Sequence, residues 1–82
     1  MYRICTEDIN REGIARILDA HVDGYALFTG IGCWKGQHEN SVSIDLIGAK
    51  RETVLAIAEQ IKTANQQESV LVYELPVVAT FV

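Results

Sequence analysis

Two apolar-alternating stretches separated by a two-residue turn candidate constrain this chain more than any other feature. Tyr25 to Trp34 reads as a strand rich in aromatic and aliphatic residues. Ser41 to Ile47 reads as another, with Val42, Ile44 and Leu46 alternating against Ser41, Ser43 and Asp45. Lys35-Gly36 supplies the turn, in the place where Asn-Gly or Asp-Gly is the stronger signal. Pairing Trp34 with Gln37 sets Tyr25, Leu27, Thr29 and Ile31 opposite Leu46, Ile44, Val42 and Asn40 on one face. The other face then carries Ala26, Phe28 and Trp34 beside Asp45, Ser43 and Gln37. A slip of one residue would mix the two sets, so the pattern specifies the register as well as the hairpin.

The flanking segments complete an order of elements. Tyr2 to Cys5 reads as a short strand, after which Thr6 or Asp8 can cap a helix, with Glu7 and Glu12 near its positive end. Ile14, Ile17, Leu18 and His21 recur at helical spacing, and Val22-Asp23-Gly24 ends that helix, with Gly24 suited to a left-handed residue. A second helix spans residues 50–65, with Val54, Ile57, Ala58 and Ile61 on one side. After the polar exit Asn65-Gln66-Gln67-Glu68, a fourth strand spans Val70 to Tyr73, and Pro76 separates it from the apolar run Val77 to Val82. No linker, repeat or low-complexity tract interrupts residues 1–82, which are expected to form a single domain. The order predicts an α+β fold, a ferredoxin-like βαββαβ sandwich: an antiparallel sheet, two helices on one face and an additional C-terminal strand.

Composition bounds the partners. With 82 residues, a single core is only marginally sufficient. No apolar run approaches the ~20 residues of a membrane span, and Met1 to Asp8 lacks the layout of a secretory signal. Cytoplasmic location with reduced Cys5 and Cys33 is the resulting expectation. A net charge of −4 argues against a nucleic-acid backbone as the main partner. The fourth strand and the run 77–82 are apolar on both sides, more than two helices can cover. Another copy of the chain is the economical cover for the second face.

Thr6-Glu7-Asp8, Gly24-Tyr25, Thr29-Gly30 and Trp34-Lys35-Gly36 followed by Glu39 resemble the small PII-like and CutA-like proteins. The Trp-Lys-Gly turn with its following acidic residue is the CutA-like part, while Gly-Tyr and Thr-Gly are closer to PII-like proteins. The resemblance implies a homotrimer whose sheets pack around an axis, with clefts between subunits. PII-like proteins bind nucleotides or anions in such clefts, and CutA-like proteins are associated with divalent copper. The loop after Thr29 is shorter than the partner-engaging loop of PII signal proteins. Gln66-Gln67-Glu68-Ser69 stands where CutA-like proteins commonly carry His-Pro-Tyr.

Two ligand sets emerge from the residues. Gly30, Gly32 and Gly36 bring backbone close to Lys35, the ingredients of an anion or nucleotide cradle, with Thr29 and Trp34 beside it and Arg51 adding charge from the second helix. The plainer reading is that the glycines permit strand twist or close packing, and that Trp34 seals a subunit interface. Cys33 and His38 become cross-strand neighbours, and with nearby Glu39 they could ligate a divalent metal, copper or zinc. The alternative is a half-buried thiol beside a surface imidazole. Cys5 is expected in the core. Nothing pairs a nucleophile with a base, so the expected class is a non-enzymatic, ligand-binding or regulatory protein, with a structural interaction module as a third reading.

Overall fold

A computed structural model describes residues 1–82 and has an α+β fold of four antiparallel strands and two helices. In chain order these are β1 (Tyr2–Glu7), α1 (Arg11–His21), β2 (Ala26–Trp34), β3 (Gln37–Leu46), α2 (Arg51–Ala64) and β4 (Leu71–Glu74). The open sheet has the order β2-β3-β1-β4. The hairpin register follows the alternation in the sequence: Leu27 faces Ile44, Thr29 faces Val42, and Trp34 faces Gln37. A Lys-Gly turn requires left-handed backbone at both positions, and Lys35 (φ 50) and Gly36 (φ 78) adopt it. Lysine accepts that conformation less readily than asparagine does.

Both helices lie on one face. Ile4, Val42, Ile44 and Leu46 of the sheet pack with Ile14 and Leu18 of α1 and with Val54, Ile57, Ala58 and Ile61 of α2. Because side chains alternate along a strand, Arg3, Cys5, Phe28, Ser43, Asp45, Leu71 and Tyr73 all fall on the other, open face.

Several expectations change. α1 is capped by Asn10, not by Thr6 or Asp8: β1 runs on to Glu7 and buries Thr6, while Asp8 pairs with Arg11. Asn10 adopts left-handed backbone (φ 55), and its Oδ1 accepts from the Gly13 amide at 3.2 Å. A Cβ at Gly13 would stand 2.2 Å from the Asn10 side chain, so that cap depends on glycine. Gly24 is not among the left-handed glycines, because the chain leaves α1 through an extended Val22. His21 is exposed and meets Gln60 across the helices rather than joining the core. Cys5 lies on the open face near Ser43 and Tyr73, not in the core. The run 77–82 forms no strand within the chain, since Pro76 lacks the N–H needed to continue the ladder.

At the centre of the open face, Arg3 donates to Asp45 through two nitrogens and to the Tyr73 hydroxyl at 3.3 Å. The guanidinium holds the Asp45 carboxyl below its ordinary value of 3.8. The unfolded chain therefore takes up that proton before the folded one does. The pair adds stability above the ordinary value and loses it as pH falls through the folded value. Asp45→Asn should lower the melting temperature near neutral pH. Its deficit should hold near neutral pH and shrink once pH falls below the ordinary carboxylate value of 3.8, read by circular dichroism melts. A deficit independent of pH would refute the assignment.

Candidate functional site

The site grows from a mismatch of strand lengths. β1 pairs with β3 only as far as Glu7 opposite Ser41, whereas the β2–β3 ladder continues to Trp34 opposite Gln37. Residues 32–39 thus overhang the end of β1, beyond the Asp8 amide that donates to the Asn40 carbonyl at 2.9 Å. The turn is tied down by Lys35, whose Nζ donates to Glu68 Oε1 at 2.7 Å in the loop between α2 and β4. The same ammonium stands 5.8 Å from the centre of the Trp34 ring, within cation–π range.

That loop is pinned from beneath. The buried Thr6 hydroxyl donates to Gln67 Oε1 at 2.8 Å, Asn65 Nδ2 donates to the Ile9 carbonyl at 3.1 Å, and Asn10 Nδ2 donates to Asn65 Oδ1 at 3.3 Å. Between overhang and loop lies a hollow of about 480 Å³. Its walls include Cys5, Glu7, Cys33, Trp34, Glu39 and Glu68. Glu7, Glu39 and Glu68 are the charged side chains of its lining, and Lys35, on the turn next to Trp34, is engaged with Glu68.

The residues singled out in the sequence distribute unevenly around this hollow. Gly32 and Trp34 line it. Gly36 forms the turn beside Lys35. Gly30 and Gly32 lie on the open face beside Ser41, where a Cβ at Gly32 would meet the serine at 3.6 Å, an ordinary contact. Neither glycine has positive φ, so neither forms a bulge of the left-handed kind. Thr29 points to the helix face opposite Val42. Arg51 begins α2 and acts on Tyr2 at the start of β1, while the hollow adjoins the end of β1. One chain therefore does not bring Lys35 and Arg51 together.

Cys33 and His38 do stand opposite each other, both exposed. Glu39 is one step on, opposite Gly32, and alternation turns it to the other face. No group of three His, Cys, Asp or Glu side chains in the chain is arranged to hold a metal ion.

The sequence reading missed Thr6, Glu7, Gln67 and Glu68 as parts of the site. Only a hint was available: a polar, glycine-free run between α2 and β4 that could reach back under the hairpin. No protein-family model matches the chain, and no curated protein is similar to it in sequence. No helix is long and apolar enough to cross a membrane.

Proposed function

We propose that the protein is a non-enzymatic ligand-binding or regulatory homotrimer of PII/CutA-like type, built on a ferredoxin-like subunit, with a small anionic ligand or nucleotide held between subunits. One observation carries the assembly. A single chain exposes 5644 Å², against about 4,900 Å² for a folded monomer of this mass. The excess includes large apolar groups, with Phe28 55 % and Leu71 58 % exposed on the open face. These two flank Ser43 and Cys5 from the edge strands β2 and β4, and with the exposed apolar run 77–82 they support a surface that is covered in use.

The ligand reading follows from charge. Glu7 and Glu39 repel an anion from within the hollow, leaving the turn beside it, where Lys35 and the half-exposed Trp34 ring stand. Lys35 of one subunit and Arg51 of a neighbour would then flank a phosphate, with Trp34 offering a stacking face for a base. Such a site is incomplete in one chain. Lys35→Ala combined with Arg51→Ala should abolish the thermal stabilisation that a bound nucleotide gives, while the melting temperature without ligand stays within a few degrees. If a panel of nucleotides and inorganic phosphate fails to stabilise the unmutated protein, the anion reading is wrong.

A further inference from the structure

The chain has a free sheet edge and a free strand-like segment, and they are complementary. β2 is an edge strand whose outer backbone groups have no partner in the chain. Its nine residues contain neither a charge nor a proline. Proteins blunt exposed edges with such residues because a long, bare, apolar edge recruits other strands. Phe28 projects from one side of β2 and Ile31, 80 % exposed, from the other.

Residues 77–82, Val-Val-Ala-Thr-Phe-Val, are likewise uncharged and made largely of β-branched and aromatic types. Val78 and Phe81 are each 98 % exposed. As a strand the segment would send Val77, Ala79 and Phe81 to one face and Val78, Thr80 and Val82 to the other. A strand apolar on both sides suits a sheet covered on both faces.

Its own β2 is out of reach. Met1 and Leu75 exchange backbone hydrogen bonds at 3.1 Å and 2.8 Å, fixing the departure point beside β1 and β4. β2 lies three strands away, about 14 Å across the sheet. Six extended residues reach about 20 Å, so crossing consumes most of that length and leaves too little to run alongside β2. We infer that residues 77–82 of one copy add as a strand to the β2 edge of a second copy, covering its Phe28 and Ile31. This rests on the assembly reading above and identifies the surfaces that make it.

The test is Val78→Asp combined with Phe81→Asp in the full chain, followed by sedimentation velocity across a dilution series. Neither side chain contributes to its own subunit's core, so helical circular dichroism should be retained while association weakens by about a hundredfold or more. Amide exchange on the unmutated protein provides a second readout: the 77–82 amides should be protected in the assembled state. An assembled native protein whose double variant associates equally well, or whose 77–82 amides exchange at unfolded rates, overturns the strand addition and leaves the assembly reading standing. A native protein that sediments as a monomer at micromolar concentration removes both.

Discussion

Leu71→Asp is expected to dissociate the protein and to lower its melting temperature by an amount that grows on dilution. Leu71 is opposite Cys5 on the open face and more than half exposed in the single chain. In an isolated subunit an aspartate there would meet water and change stability by less than about 0.5 kcal/mol. In an assembly that covers the open face, it would bury an unpaired carboxylate at a cost of several kcal/mol, on the order of 3–5. The neighbouring substitution Val72→Asp has the opposite signature. Val72 packs against the core opposite Ile4, so its replacement should unfold the subunit whatever the concentration. Sedimentation and melting of both variants at two concentrations separate the effects. Identical behaviour of Leu71→Asp and the unmutated protein would show that the open face is not covered.

The second large effect is expected from Ile44→Ala. Ile44 is fully buried at mid-sheet, opposite Ile4 on β1 and Leu27 on β2, beneath both helices. Truncating a buried isoleucine costs about 2–5 kcal/mol, the spread reflecting how far neighbours can close the cavity. A chain this size holds roughly 4–12 kcal/mol in total at 0.05–0.15 kcal/mol per residue. A domain of this size loses about 4–8 °C per kcal/mol, which puts the fall on the order of 10–30 °C. A fall under about 5 °C in a thermal melt would mean that the shared core is less well packed than the burial of its ten apolar members implies.

The central hairpin was legible because period-two alternation and a two-residue turn determine one register, and a wrong register would have turned Val42, Ile44 and Leu46 outward. The helical stripes were legible for the same reason: Val54, Ile57, Ala58 and Ile61 recur at helical spacing, and all are buried. Chain ends of elements were less so. Asn10 displaced Thr6 and Asp8 as the cap because β1 gains two more ladder positions by running to Glu7, which propensity alone does not weigh. The site was the least legible part. Its hollow is made by strands of unequal length and by a loop that reaches back through Thr6, Asn10 and Asn65, contacts 55 or more residues apart in sequence. Lys35 was readable as a turn lysine, but its engagement with Glu68, 33 residues on, was not.

The sheet order also bears on when the molecule can finish folding. β1 precedes the other strands in the sequence, yet its two neighbours are β3 and β4, and the Met1 nitrogen donates to the carbonyl of Leu75. Ile4 acquires both of its cross-strand partners, Ile44 and Val72, only when the last strand is available. The β2–β3 hairpin can close locally as it is made, whereas β1 gains its second neighbour only once β4, about 65 residues on, is available. Of the four strands β1 is thus the first in sequence and the last to have both of its edges paired.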